Sequence, residues 1–547
     1  MLSAMFPTGA PTHLSTFLDN DLDPTALIVS TLLVLLFGSL FSVAYSTSIT
    51  KKKHDEKKYA KPWPKVEGAL PFIGNAHQLE GLKQLPKTLH GWADKYSKEH
   101  GCFSLDLGGT NWVVVCRADR MKEVMDQRPN VIMRSEYQKE AARSIRGGGT
   151  FAQEGAEWKK QRAVLASMFN KSHIRDYMKY TKLVAGRLMV KWEGLAAKSG
   201  PQGFGVNQDI SKYVTDSASL SLLGKDSNTL NKSDTTIEDL SKAFDSMVVR
   251  QLSPIQFWKI PFIGQYLDGV GFTVDRLYRT LTGTIESFRK DGASGEGDGS
   301  LVAKLALLSR GGNGWDDEKI IANLMTAFIA STDTTSSVLC STIQELIEDE
   351  TGLQDELLDE LRTKLPANID DTTMEDLSKD NVPLLWSFLY EVLRFHAPTQ
   401  FVLFHANEDI PFCGTTMKKG TEIFTLLEYC NVNPHHRPKN TPSGPNGEYE
   451  DHTKFQARRW LIHDKQNKTA YSCQAPPIND PSFMSFGYGP QRCVGEKFGM
   501  ASLTYTLSLI VRTFHLAKAE GYTSPGRKLV LVQIPDSEIC VALTKRE

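Results

Sequence analysis

From Glu154 onward the chain is written in helical periods. Apolar residues recur three and four apart in stretches around 155–195, 205–225, 235–252, 272–290, 317–348, 351–364, 384–396 and 495–515, the spacing that gives an α-helix one apolar stripe to bury. Glycine-rich breaks at 292–299 and 311–314 punctuate the series. Earlier, Phe103-Ser-Leu-Asp-Leu and Trp112-Val-Val-Val-Cys116, divided by Gly108-Gly109-Thr-Asn, read as two strands and a tight turn. A length of 547 residues would permit three or four domains. No internal repeat and no second composition regime divides the chain, so the pattern predicts one large, mainly α domain with a small β-rich subdomain.

Ahead of that domain lies Ala26 to Tyr45, about twenty residues without a charge, long enough as a helix to cross roughly 30 Å of hydrocarbon. Residues before it carry Asp19, Asp21 and Asp23 and no Lys or Arg, whereas Lys51, Lys52, Lys53, Lys57, Lys58 and Lys61 follow it. The positive-inside bias therefore predicts a lumenal segment 1–25, a single transmembrane anchor 26–45 and a cytosolic remainder. A cleaved signal peptide would want a basic start and a shorter apolar core. The Ser/Thr-rich first eighteen residues leave organelle routing open. The repeated prolines of Lys61-Pro-Trp-Pro-Lys-Val-Glu-Gly68-Ala-Leu-Pro71-Phe-Ile-Gly74 stiffen the path away from the membrane, so 46–75 reads as a basic, proline-rich hinge before a domain at 76–547. The net charge of -1 gives no argument for a polyanionic partner. Eight scattered cysteines without C-x-x-C pairs argue against a zinc site or a disulfide scaffold.

One cysteine stands apart. Phe486-Gly-Tyr-Gly-Pro-Gln-Arg-Cys493-Val-Gly495 is a glycine-rich loop running straight into an apolar helix. A thiolate facing iron must be deprotonated, shielded from water and aimed by backbone N–H groups, which come close where side chains are absent. Alone, a buried structural cysteine after a glycine turn explains the segment as well. Further motifs follow the same order. Phe328-Ile-Ala-Ser331-Thr-Asp333-Thr334-Thr sets hydroxyls and an acid in an apolar helix, where they form helix poorly and need a reason. Glu391-Val-Leu-Arg394 puts opposite charges on one helix face amid apolar neighbours, and Phe455-Gln-Ala-Arg-Arg459-Trp460 offers a second guanidinium. Trp158-Lys-Lys-Gln-Arg162 places Trp158 and Arg162 on one helix side, a pattern that by itself is more often ordinary packing.

Together these segments resemble the signatures of the cytochrome P450 superfamily, microsomal type, and the resemblance runs from Pro62 through the helix after Cys493. It implies the family's prism fold and haem b (iron protoporphyrin IX) with Cys493 as the axial metal ligand, a thiolate that favours O–O cleavage. It implies that Phe486 packs beside the thiolate, that Trp158, Arg162 and His405 reach the haem propionates, and that Asp333 and Thr334 carry protons in catalysis. Glu391, Arg394 and Arg459 become a structural lock. The chain departs from the family pattern at Ser331, where glycine is usual, at Ala457 and Arg458, where Pro and Glu are usual, and at Gln491, where Arg or His donates to a propionate. Either Gln491 gives a neutral bond there or Arg492 turns inward.

The implied activity is a monooxygenase that oxidises a C–H bond of a small lipophilic metabolite, of the kind met in secondary metabolism. NADPH would be used indirectly, through NADPH–cytochrome P450 reductase, with cytochrome b5 a further candidate partner and the endoplasmic reticulum membrane the expected location. Phe244, Phe257, Trp258, Phe262 and Phe272 favour an isoprenoid or acyl portion of the substrate. Arg134, Lys139, Arg143 and Arg146 could anchor a substrate carboxylate, though a solvated loop balanced by Glu136 and Glu140 explains them more simply. Two other readings stand beside this one: a reductase-independent haem-thiolate isomerase or dehydratase, in which the threonine tends to be lost, and a membrane-tethered haem-binding protein without turnover.

Overall fold

The computed structural model describes residues 63–546 apart from 80–83, 253–256, 292–298, 311–313, 433–451, 464–470 and 530–531. The anchor at 26–45 and the lysine run lie outside the described residues. Among the described residues no helix is long and apolar enough to cross a membrane.

The longest helix, Asp317–Glu348, has 32 residues and runs through the middle of the core. Its start is set by Asp316, whose carboxylate accepts the Lys319 N–H at 2.8 Å and so satisfies one of the donors a helix end leaves unpaired. Asn207–Ala218, Pro383–Phe395 and Glu496–Thr513 pack around it. Their apolar stripes make one continuous core that includes Ile320, Leu324, Leu339, Ile343, Phe388, Leu507 and Ile510, all nearly fully buried. Burial of such side chains, each contributing roughly 1.5–3 kcal/mol, is the main force holding the helices together.

The periodic stretches become helices close to their expected limits, with Thr235–Leu252, Val270–Asp291 and Leu353–Lys364 completing the set. The stretch 155–195 divides into Gly155–Met168 and Lys171–Ser199. Asn170 makes the division, since its side chain accepts the His173 N–H and caps the second helix. Beyond 218 the helix widens into a π turn over Ser219–Leu223 and stops at Gly224, whose φ of 66° few other residues adopt.

The predicted strand pair forms as Cys102–Leu107 against Thr110–Val115. Glu422–Leu426 runs parallel beside Thr110–Val115 and antiparallel to Phe401–Ala406, and Ile132–Arg134 closes the five-stranded sheet. Phe514–Lys518, Cys540–Lys545 and Phe204–Gly205 make a second sheet. At its edge the Gln354 side chain bonds both the N–H and the C=O of Leu516, at 2.7 and 3.0 Å, standing in for a missing strand.

Candidate active site

Cys493 follows a one-turn helix at Gly489–Gln491, and its N–H donates to the Phe486 carbonyl at 2.7 Å. That bond folds the loop back on itself, a path that needs the positive φ angles of Gly487 and Gly489, 79° and 64°. The Gly495 N–H is directed at the sulfur, and the helix Glu496–Thr513 begins immediately after. Cys493 is exposed by surface area. Yet it lies among enough protein for burial to raise its thiol pKa, against the pull of the Gly495 N–H and of Arg162 and Arg492.

Arg128, Arg134 and Asp333 share that signature. Each retains accessible surface, and for each burial is the largest influence on its protonation. Arg128 is held well below the usual guanidinium value and Arg134 falls to about 10. Asp333 is pushed up to about 6, by burial first and the Asp245 charge second. Accessible yet desolvated side chains line a space enclosed by protein. Ala330, in the middle of the long core helix, is exposed for the same reason.

The acid and hydroxyl sit on that helix. Thr334 Oγ1 donates to the Ala330 carbonyl at 2.6 Å and Ser331 Oγ to the Phe328 carbonyl at 2.8 Å. The helix passes through 330–334 without a break. With serine in place of glycine, the hydroxyls bond back to carbonyls inside a continuous helix.

Glu391, Arg394 and Arg459 come together with none of their side-chain surface exposed. Arg394 donates from Nε and Nη2 to Glu391 at 2.8 and 2.7 Å, and Arg459 Nε reaches both carboxylate oxygens at 3.0 and 3.1 Å. The remaining Arg394 donors bond the carbonyls of Asn431, His452 and Lys454, tying the helix Pro383–Phe395 to the segment that leads toward the Cys493 loop. Burial acts to raise the Glu391 pKa, but the two guanidiniums outweigh it and hold the carboxyl below its ordinary value.

Trp158 and Arg162 lie on Gly155–Met168, and Arg162 Nη2 donates to the Arg492 carbonyl, which fixes it beside the cysteine loop. His405 Nδ1 bonds the Arg134 carbonyl at 2.9 Å, so Nδ1 carries a proton. Gln491 Nε2 donates to Glu154 at 3.0 Å. Arg492 grips Glu496 through two bonds at 2.6 and 2.7 Å and the Gly487 carbonyl at 3.2 Å. Neither the glutamine nor the arginine of the sequence-based alternative is therefore the obvious donor to a cofactor carboxylate.

Arg128 and Arg134 are the better-placed donors. Arg128 stacks on Phe404 and Arg134 on Phe151, while Arg128 Nη1 and Arg134 Nε have no hydrogen-bond partner. Orphaned guanidinium donors beside an enclosed space fit an anionic group such as a haem propionate. Arg134 was legible only as one of four basic residues in a loop. What separates it is burial, which no spacing reveals. Its three companions are engaged elsewhere: Lys139 with Glu136, Arg143 with Glu140 and the Ala152 carbonyl, and Arg146 with Asp275. Of the aromatic set, Phe262 and Phe272 point to solvent, 97% and 63% exposed, and do not line a pocket.

A desolvated thiol that remains accessible, an N–H aimed at it and unpaired cationic donors nearby together fit a thiolate-ligated haem carrying two carboxylates. The comparisons agree. The sequence profile of the family described as Cytochrome P450 matches residues 64–541. Among curated proteins, cytochrome P450 4F12 of Homo sapiens is 24% identical over 496 residues, covering 84% of this chain and 89% of the relative. Cytochrome P450 monooxygenase sphH of Aspergillus fumigatus is 24% identical over 515 residues, covering 90% and 86%. Among solved structures, the cytochrome P450DA heme domain superposes with a TM-score of 0.70 at 20% identity, covering 89% of this chain and 98% of that one. The family binds haem through a cysteine thiolate and draws NADPH-derived electrons from reductase partners. With its core helix, its cysteine loop and its full domain length all matched, the chain belongs to the cytochrome P450 family and is a monooxygenase of that family.

Proposed function

We propose that this protein is a membrane-anchored haem-thiolate monooxygenase that oxidises a C–H bond of a small lipophilic metabolite, with electrons from NADPH delivered by a separate reductase. The observation that carries this reading is the accessible, desolvated Cys493 thiol. Bound haem supplies dioxygen activation. The chain's own residues do the rest. Cys493 is the metal ligand, aimed by the Gly495 N–H, and Phe486, packed against the core, anchors the start of its loop. Arg128, Arg134, Arg162, Trp158 and His405 hold the two propionates. Asp333, its pKa raised to about 6, takes protons toward the site, and the Thr334 hydroxyl oxygen is the next acceptor, its own proton being held by the Ala330 carbonyl. The Glu391, Arg394 and Arg459 cluster keeps the cysteine loop in register.

Two features support a membrane location. The first is the apolar segment 26–45 with its lysine-rich flank. The second is a repeated turn, Pro71-Phe72-Ile73-Gly74 and Pro261-Phe262-Ile263-Gly264. In both, the isoleucine N–H bonds the proline carbonyl at 2.9 Å, and the phenylalanine at the tip has a positive φ, 69° and 67°. Such γ-turns are rare and strained. Both tips are exposed, and Leu70, Ile260 and Leu267 beside them are exposed too. Apolar tips of this kind suit a lipid surface better than water. An NADPH–P450 reductase as the source of electrons is supported by a relative whose name joins the two activities, the bifunctional cytochrome P450/NADPH–P450 reductase ALT2 of Alternaria alternata, 24% identical over 469 residues.

The test is the absorption spectrum of the reduced protein under carbon monoxide, beside Cys493→Ser. A strongly red-shifted Soret band, lost in the variant, is the expected result. Haem without that shift would end the thiolate reading.

A further inference from the structure

Outside the haem site, Cys102, Cys116, Cys413 and Cys430 gather beside the five-stranded sheet, each within electrostatic reach of another of the four. Cys413 is oddly placed. It is the first residue of the two-residue turn between Phe412 and Thr415, with φ of 52° followed by 73° at Gly414. Turns of this type are usually made by Asn-Gly or Asp-Gly, because those side chains tolerate the left-handed region. Turn formation alone gives no reason for a cysteine.

Its surroundings give one. The Cys413 thiol is within hydrogen-bonding reach of the Cys102 thiol on the edge strand Cys102–Leu107. It also lies 3.8 Å from the His100 carbonyl, the same oxygen that accepts Arg120 Nε at 3.1 Å. Arg117 lies close enough to interact with both thiols. Both guanidiniums stand beside the thiol pair already matched to carboxylates, Arg117 to Asp119 and Arg120 to Glu123. The Cys413 backbone N–H is held by Glu123 at 3.0 Å, so the turn is fixed in this position. Cys413 is partly exposed, whereas Cys102 is fully buried and burial raises its thiol pKa far above the ordinary value. An oxidant therefore meets Cys413 and leaves Cys102 as an unreacted thiol within reach.

We propose that Cys413 and Cys102 form a peroxide-responsive thiol pair, with Cys413 the sulfur attacked and Cys102 the resolving thiol. The Cys413 thiolate displaces hydroxide from hydrogen peroxide and becomes a sulfenic acid. Cys102 Sγ then attacks Cys413 Sγ, the S–O bond breaks, and the hydroxyl leaves as water with the Cys102 proton. The two sulfurs give up two electrons and one peroxide is reduced to water. The resulting bond fastens the hairpin Ile410–Met417 to the edge of the sheet.

The experiment treats the full-length, haem-loaded protein with dilute hydrogen peroxide, alkylates the remaining thiols, digests without reductant and reads the peptides by mass spectrometry. The expected product is a Cys102–Cys413 cross-linked peptide, two hydrogens lighter than its parts and lost on adding dithiothreitol. Cys102→Ser and Cys413→Asn both lose it while keeping the wild-type haem spectrum, which reports that they fold. Any of three results overturns the proposal: Cys413 carried on to sulfinic acid with Cys102 still alkylated, Cys413 joined to a different cysteine, or neither thiol modified.

Discussion

Removing the Glu391 carboxylate tests whether the buried lock holds the fold. Glu391 accepts five hydrogen bonds between 2.7 and 3.1 Å, from Arg394, Arg459 and the Gln456 N–H. Glu391→Ala removes all of them and takes the Glu391 charge away from two fully buried guanidiniums. Breaking a buried ion pair from one side costs about 3–5 kcal/mol, because the stranded charge keeps its desolvation penalty. Domains are stable by only about 5–15 kcal/mol, so a large share of the total goes. The internal control is the neighbouring Arg458, which pairs with Glu356 at 2.8 Å with the two side chains 26% and 52% exposed. Arg458→Ala should cost about 0–1 kcal/mol. The assay is haem incorporated per polypeptide, together with the urea midpoint by tryptophan fluorescence. The Glu391 carboxyl is depressed in the folded state, so its contribution is complete above the unfolded value, about 4.3, and is lost as pH falls through the folded value. The gap between wild type and Glu391→Ala should therefore narrow in acid. If Glu391→Ala retains as much haem and as high a midpoint as Arg458→Ala, the lock is not what holds the loop.

Asp333→Asn should divide stability from activity. The folded-state pKa of about 6 lies above the unfolded value, so the folded protein loses stability as pH rises from about 4 to 6, and the penalty then stays. Near neutral pH the asparagine variant should be more stable than wild type by about 1–3 kcal/mol and slower in turnover, with the limb near pH 6 gone from its rate profile; an unchanged profile would remove Asp333 from the proton path. At the surface, Phe262→Trp in the full-length protein should add, to the signal of the nine native tryptophans, a component that brominated lipid quenches. Quenching by aqueous acrylamide instead would place the second turn in water.

The helices were legible because each carries its own period, and their caps, such as Asp316, are written beside them. The sheet was less so. Glu422–Leu426 is buried on both faces and shows no alternation, and its partners lie about twenty residues away on one side and three hundred on the other. Ile132–Arg134 is a strand of three residues that joins the sheet through Phe401–Ala406, more than two hundred and sixty residues along the chain. The site divided along the same line. Cys493, Glu391, Arg394 and Arg459 stood in recognisable local patterns. Arg128 did not, because its role depends on Phe404, which the fold brings beneath it from far along the chain. Phe262 misled in the opposite direction, since an aromatic in an apolar stretch reads as core until the turn that carries it is seen to face outward.

Buried charge among the described residues is handled in more than one way, and the difference bears on the active site. Arg250, fully buried, is closed off by Asp268, the Ser144 carbonyl and Gln265. Glu391 is closed off by two guanidiniums, and Asp216, among buried carboxylates, by the Thr229 and Leu230 N–H groups. Each of these charges is satisfied within the polypeptide, which is what a structural role demands. Arg128, Arg134 and Asp333 are desolvated without that closure. A fold does not keep such groups for stability, since each costs free energy as it stands. Their cost is recovered only when something else enters: an anionic group for the two arginines and a passing proton for the aspartate. On this argument the cofactor contributes to the stability of the folded protein, so haem-free and haem-loaded forms should unfold at well-separated urea concentrations, and Arg128→Ala should bring them closer together, weakening the loaded form while relieving the haem-free form of a desolvated charge.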